Sequence, residues 1–230
     1  MPPVELVMLD CDGVLIDSEF LAAQVECERY AAFGYEMTVE EFSGRFAGLS
    51  EERIRDAIGE EIGRGFPPDF AEETTRLVTE RIAAEVEPID GVREMLRRLD
   101  RPLCVCSNSS TEQLRKSLGR AGLWETLESH IFSARDLGTE RMKPAPDVFL
   151  EAARAMGVDP RNAVALEDSV HGIQGARAAG ARAIGFTGGR HSWPGHADAL
   201  TEAGAATVVT RLVDVAPMID ALAHWSEDAL

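Results

Sequence analysis

Four short apolar runs in this chain end abruptly in polar residues, and no other feature limits its fold so tightly. Residues 4–9 run into Asp10-Cys11-Asp12-Gly13, and residues 103–106 into Ser107-Asn108-Ser109-Ser110. Residues 163–166 run into Glu167-Asp168-Ser169, and residues 183–186 into Thr187-Gly188-Gly189. A stretch that is apolar at nearly every position has no face to give to water, so each run reads as a strand buried on both faces of a parallel sheet. Helical stretches lie between them. Ser110 and Gln113 can form a capping box ahead of residues 111–121. Residues 146–156 close on Gly157 and residues 170–179 on Gly180, both suited to a helix C-terminus. Parallel strands alternating with helices predict an α/β doubly wound sheet.

The alternation stops from about Ser18 to Glu87. That segment reads as helices only: residues 19–33 ending at Gly34, a capping box at Thr38 and Glu41, then residues 50–58 and 69–86. It is expected to be a helical module inserted between the first and second strands, with Pro88-Ile89-Asp90-Gly91 as the return. Residues 1–17 and 88–230 would form the core and residues 18–87 the insertion. The 230 residues suit this plan, being long for one compact domain and short for two.

Composition removes several classes of function. Hydrophobic residues make up 45% and charged residues 27%, which supplies a core and argues against disorder. The net charge of −17 argues against nucleic acid or an anionic membrane as partner, since both reward positive charge. No apolar run approaches the length of a membrane span. The opening stretch MPPVELVMLDCDG shows no secretory signal, and Cys11, Cys27, Cys104 and Cys106 match neither a zinc knuckle nor a redox pair. Buried reduced thiols in a cytoplasmic protein are the expectation.

Ligands of open α/β sheets bind beyond the carboxyl ends of the strands. Asp10, Asp12, Ser107, Asn108, Glu167 and Asp168 all fall at such ends, so they should converge from three distant parts of the chain. Four carboxylates in one cleft need a positive neutraliser, and an oxygen-only set suits a hard divalent cation such as Mg²⁺. Lysine usage adds a hint: of 23 basic residues only Lys116 and Lys143 are lysines. Lys116 lies within a predicted helix, whereas Lys143 stands before Pro144 and Pro146, where a compact point charge could serve better than a planar guanidinium.

These residues together carry a family resemblance. Asp10-Cys11-Asp12-Gly13-Val14 resembles the first signature of the haloacid dehalogenase superfamily, Ser107-Asn108 its second, Lys143-Pro144 its third, and Glu167-Asp168-Ser169 with Gly172 its fourth. Their order and spacing agree across nearly the whole core, and the helical insertion corresponds to the family's cap. The β-phosphoglucomutase-like sugar phosphatases are the branch most resembled. The implied fold is α/β, a doubly wound Rossmann-like parallel sheet core with an inserted α-helical cap. The implied activity is an Mg²⁺-dependent phosphatase acting on a small phosphorylated metabolite, a sugar or sugar-acid phosphate, in a monomer or small homo-oligomer. By resemblance Asp10 is the nucleophile that becomes an aspartyl phosphate, and Asp12 protonates the leaving oxygen and then activates water. Mg²⁺ would be held by Asp10, the Asp12 carbonyl and Asp168, with Glu167 bound to it directly or one layer out. Gly13, Ser107, Asn108 and Lys143 would surround the phosphoryl group.

The acid at Asp12 favours oxygen leaving groups over carbon–halogen cleavage. The family's mutases carry a histidine soon after the first motif and an arginine directly after the Gly-x-Ser of the cap loop. Here residues 18–22 hold no histidine, and Gly48-Leu49-Ser50 is followed by Glu51. A phosphatase is therefore preferred, with a phosphomutase second and a catalytically silent phosphate-binding module third. Arg45, Leu49 and Glu51 on the cap loop are the candidates for substrate choice. The stretch from His191 to His196, with two histidines and a tryptophan, could rim the site or bind a metal, but a solvated loop is the expectation, and the apolar stripe over residues 212–223 is expected to be a terminal helix on the sheet.

Charge is unevenly placed. Residues 17–87 hold 7 basic and 18 acidic residues, so −11 of the net −17 falls on the insertion. That field repels an anionic substrate. Raising ionic strength should therefore lower KM for a phosphate ester, and a KM that climbs with salt would contradict this reading of the charge.

Overall fold

The computed structural model describes residues 3–224. Its sheet comprises β1 (Leu6–Leu9), β2 (Leu103–Ser107), β3 (Ile131–Ser133), β4 (Ala163–Glu167), β5 (Arg182–Phe186) and β6 (Thr207–Val209). All five pairings are parallel, in the order β3-β2-β1-β4-β5-β6. The order reverses between β1 and β4, and a doubly wound sheet opens its ligand crevice at that reversal.

Period-two alternation divides the strand side chains between two apolar layers. Val7, Leu9, Val105, Val164 and Leu166 face one side, where they meet Val92, Met95, Leu114 and Leu118. Leu6, Met8, Cys104, Cys106, Ala163 and Ala165 face the other, against Phe149, Ala152, Ile173 and Ala176. Those contacts belong to α5 (Val92–Arg98) and α6 (Thr111–Arg120) on the first face, and to α9 (Asp147–Met156) and α10 (Val170–Ala178) on the second. Two short helices, α7 (Trp124–Leu127) and α8 (Ala134–Leu137), flank β3, and α11 (His196–Glu202) precedes β6. The last helix, α12 (Val215–His224), lays Val215, Ala216, Ile219 and Leu222 on the first face, as the apolar stripe predicts.

Four helices occupy the segment between β1 and β2: α1 (Ser18–Ala31), α2 (Val39–Phe46), α3 (Glu51–Ile62) and α4 (Phe70–Glu85). The capping boxes read at Thr38 and Ser110 both form. The insertion has an apolar cluster of its own, built from Ala23, Cys27, Tyr30, Phe42, Phe46, Ile54, Ile58 and Phe70. Its entry and exit lie side by side, because Asp17 N–H donates to Glu87 O at 3.0 Å and Ile89 N–H to Leu15 O at 3.0 Å. Two adjacent crossings let a module of four helices be added without disturbing the pairing of β1 with β2.

Strands β3 and β6 lie at the sheet edges and have no counterpart in the sequence reading. Three residues are too few to set up a period, and these are only partly covered.

Phe70 is 2% exposed and its ring meets those of Tyr30, Phe33 and Phe66, with the Arg29 guanidinium 4.9 Å from its centre. Phe70→Ala should cost about 3–5 kcal/mol, by transfer and cavity terms together. Urea unfolding followed by circular dichroism measures it.

Candidate active site

Asp10 follows β1, Ser107 ends β2, and Glu167 with Asp168 ends β4, so adjacency in the sheet brings these side chains together. One oxygen each from Asp10, Glu167 and Asp168 lie within 4.8 Å of one another, and all three residues are buried. Lys143 enters from the loop before α9. Asn108 fixes that loop, accepting from Lys143 N–H at 2.8 Å and donating through Nδ2 to Lys143 O at 3.4 Å.

The Lys143 ammonium is buried and uses all three of its donors. It donates to Cys106 O at 2.7 Å, to Glu167 Oε1 at 2.6 Å and to Asp10 Oδ1. An ammonium satisfies a tripod of acceptors that a flat guanidinium cannot, which accounts for a lysine in a chain written almost wholly with arginine. Burial alone would lower the Lys143 pKa, but the Asp10 and Glu167 carboxylates outweigh it and hold the ammonium charged. Desolvation pushes Asp10 well above the usual carboxylate range, opposed by Lys143 and reinforced by Glu167, Asp168 and Asp12. Desolvation likewise raises Glu167 to about 7 against the pull of Lys143.

Fully ionised, these three carboxylates and one ammonium carry two uncompensated negative charges in a desolvated place. A divalent cation has the charge to cancel them, and an all-oxygen donor set suits a hard one. Two glycines keep the cradle open. A Cβ on Gly172 would stand 1.8 Å from Glu167 Oε2, and one on Gly13, at φ +79°, 1.9 Å from Asp168 Oδ2. Gly13 thus makes room for Asp168 as well as for the turn after β1.

Asp12 is held differently. Its carboxylate accepts from Ser18 Oγ at 2.7 Å, Ser109 Oγ at 2.8 Å and Ser107 Oγ at 3.2 Å, and pairs with no cation among the described residues. Ser107 is fully buried, with its hydroxyl turned to Asp12, so Ser109 faces the open cleft where Ser107 was expected. That cleft has a volume of about 500 Å³ and lies between core and insertion, with Asp10, Asp12, Asn108, Lys143 and Asp168 on one wall. Glu19, Ala22, Glu26, Phe42 and Phe46 line the other. Desolvation raises Glu19 and Glu26 to about 7, with Asp168 and Asp12 adding to the shift at Glu19 and Glu51 to that at Glu26. The Glu19 side chain is exposed to the cleft and stands near Asp12 and Asp168.

The three expected specificity residues do not converge here. Arg45 is turned away, ion-paired to Glu61 and donating to Tyr35 Oη, and it is absent from the cleft wall. Leu49 is 37% exposed and also absent from that wall. Glu51 lines an adjoining cavity of about 320 Å³ between α1, α4 and α6, which shares Asp12, Glu19, Glu26 and Ser109 with the cleft. The reason is local: with eight acids in residues 36–61, an arginine finds a carboxylate on its own module first.

The expectation of a solvated loop at residues 191–196 is also corrected. His191 and His196 are buried, and His191 and Trp193 line the cleft. His191 Nε2 lies 2.9 Å from Asp168 Oδ2; burial opposes a charge on this ring, but Asp168 raises its pKa overall. Burial keeps His196 below the ordinary histidine value. Its Nε2 donates to Asp168 O at 2.7 Å, because a carbonyl only accepts, which leaves Nδ1 to accept from Ser192 Oγ at 3.1 Å. The usable signal in the sequence was position: the loop follows β5, the strand beside β4.

Lys143→Met would leave Asp10 and Glu167 buried without their cation, at a cost of about 3–5 kcal/mol. The sign follows from acids whose folded pKa is raised. Removing the ammonium raises both acids further, so variant and wild type keep them neutral alike near and below the ordinary value of 4.5, and the difference grows once pH passes the value of about 7 at which Glu167 ionises beside Lys143. Thermal melts of wild type and variant should therefore diverge above pH 7 and approach one another toward pH 4.5.

The chain resembles known proteins in sequence and in fold. The sequence matches the model of the haloacid dehalogenase-like hydrolases over residues 4–180. The 6-phosphogluconate phosphatase of Escherichia coli (strain K12) is 31% identical over 195 residues, covering 84% of this chain and 87% of its own. A conserved haloacid dehalogenase-like protein of unknown function from Agrobacterium tumefaciens str. C58 superposes with a TM-score of 0.93 at 46% identity, over 96% of this chain and 100% of that one. A HAD family hydrolase from Deinococcus radiodurans R1, crystallised with bound phosphate and sodium, gives a TM-score of 0.84 at 32% identity, over 97% and 98%. The matched residues 4–180 include Asp10, Lys143, Glu167 and Asp168 and most of the sheet, and the chain belongs to the haloacid dehalogenase-like hydrolases.

Proposed function

We propose that the protein is an Mg²⁺-dependent phosphatase that hydrolyses a small sugar or sugar-acid phosphate through an aspartyl phosphate on Asp10. One observation carries this reading: Asp10, Glu167 and Asp168 form one cluster, with Lys143 paired to the first two, beneath a cleft that Asp10, Asp12, Lys143 and Asp168 line.

The Asp10 carboxylate attacks phosphorus in line with the ester oxygen, which leaves as an alcohol by taking a proton from Asp12. Asp12 suits this exchange because hydroxyls alone position it and no cation pins its charge. As the base, Asp12 then takes a proton from water attacking the aspartyl phosphate, and Asp10 is restored. Asp10, Asp168 and the Asp12 carbonyl would hold Mg²⁺, with Glu167 close by; when bound, the ion offsets the repulsion between carboxylate and phosphate. Lys143 keeps Asp10 oriented and its charge partly balanced. Asn108 holds the Lys143 loop in place.

Hydrolysis is favoured over phosphomutase chemistry by the cleft wall. A mutase holds two phosphates at once, but among the described residues the insertion brings no arginine to the cleft. It brings Glu19 and Glu26, which can accept from or donate to sugar hydroxyls but repel a second phosphate. Arg135 of the core lines the same cleft and has no ion-pair partner among the described residues, so it is free to meet a sugar-acid carboxylate. The likeness to a 6-phosphogluconate phosphatase supports the same substrate class.

The test is phosphate release across a panel of sugar phosphates, sugar-acid phosphates, β-glucose 1-phosphate and inorganic pyrophosphate, with Mg²⁺ present. Turnover should be highest on a sugar or sugar-acid phosphate, stop with EDTA, and fall at least about a thousandfold in Asp10→Asn. Glucose 6-phosphate formed from β-glucose 1-phosphate faster than phosphate is released would select the mutase instead.

A further inference from the structure

The segment 187–196 makes four contacts that the proposed chemistry does not require. Two of them grip Asp168. His196 Nε2 donates to the Asp168 backbone carbonyl at 2.7 Å, and His191 Nε2 stands 2.9 Å from the Asp168 carboxylate. The His191 side chain is 9% exposed, and neither ring nitrogen has a well-aligned hydrogen-bond partner among the described residues, so the close approach of Nε2 to the Asp168 carboxylate is the polar contact at hand for this buried ring. The other two contacts reach the insertion. Arg190 pairs with Asp17 at the start of α1 and lies 4.1 Å over the Phe20 ring. Trp193 meets Gly44 of α2 so closely that a Cβ there would come within 3.1 Å of its ring. The same indole stacks on His196 at 3.8 Å and 15°.

A loop that served only to connect β5 to α11 would have no cause to bury two histidines against one aspartate. Backbone space is also given up to them: a Cβ on Gly189 would stand 2.5 Å from His191 Cε1. We infer that residues 188–196 form a positioning element, in which His191 and His196 seat Asp168 for a divalent metal while Arg190 and Trp193 hold the helical insertion in register over the cleft. His191 orients the carboxylate, His196 fixes the backbone beneath it, and the Trp193–His196 stack joins this grip to α2. Outer groups that orient a ligating carboxylate commonly change metal affinity by tenfold or more when removed. This inference rests on the reading of Asp168 as a metal ligand.

Titration calorimetry with Mg²⁺ alone, on the metal-free full chain, tests it without recourse to turnover. His191→Leu should weaken Mg²⁺ binding at least about tenfold, whereas His191→Gln, which keeps a polar N–H near the position of Nε2, should stay within about threefold of wild type. Asp168→Asn serves as the reference. If Asp168→Asn binds Mg²⁺ as wild type does, the ligand assignment fails and the inference falls with it. If Asp168→Asn loses binding but His191→Leu stays within about twofold of wild type, the ligand assignment stands and the positioning role alone is overturned. A His191→Leu protein that does not fold leaves the decision to His191→Gln and to Trp193→Ala. For Trp193→Ala, amide exchange in α2 should quicken by at least about fivefold, on the scale of about 1 kcal/mol of lost local protection. Unchanged exchange there would remove the link to the insertion, and a tenfold loss of Mg²⁺ affinity in His191→Gln would remove the donor's role.

Discussion

The buried Lys143 ammonium is the interaction on which the rest of this site depends. Three carboxylates within a few ångströms could not remain ionised in a desolvated pocket without a fixed cation. Lys143 supplies that cation and satisfies each of its own donors with Asp10, Glu167 and the Cys106 carbonyl. It therefore ties together the ends of β1, β2 and β4. The two negative charges left over make the site receptive to a divalent cation, so the imbalance in the carboxylate cluster gives the pocket its use.

The sheet supplies the geometry. Reversal of strand order between β1 and β4 opens a crevice with Asp10 on one side and Asp168 on the other. The helical insertion leaves the chain directly after the first motif and returns beside its own exit, so it stands over that crevice at the cost of two adjacent crossings. It has a separate apolar cluster and most of the molecule's net negative charge. The acidic wall it presents, Glu19 and Glu26, makes local cations and hydroxyl contacts decide what enters.

Much of this was legible in the residues because the relevant signals are local. Continuous apolar runs marked β1, β2, β4 and β5, and capping boxes marked the starts of α2 and α6. Asp10, Asp12, Glu167 and Asp168 were conspicuous as polar residues at strand ends. Strands β3 and β6 escaped because three residues carry no period, and pairing with a neighbour is what makes them strands. His191 and His196 escaped for a related reason: a Pro-Gly-containing loop reads as solvated until the adjacent strand end is seen to bury it. Arg45 was misplaced because a sequence does not reveal which of many nearby carboxylates a long side chain will reach.

The sequence by itself determined the central strands, the helical insertion and the acids of the site, since strand burial, helix capping and the acids at strand ends depend on near neighbours in the chain. The tertiary structure alone decided which oxygen faces which cation. It turned the Ser107 hydroxyl to Asp12, engaged all three donors of Lys143, and enclosed the loop after β5 around Asp168. Those outcomes depend on charges and dipoles brought together from positions up to 173 residues apart, as in the pairing of Arg190 with Asp17. Electrostatic energy at such contacts changes over a few ångströms, a scale fixed by packing and absent from residue order.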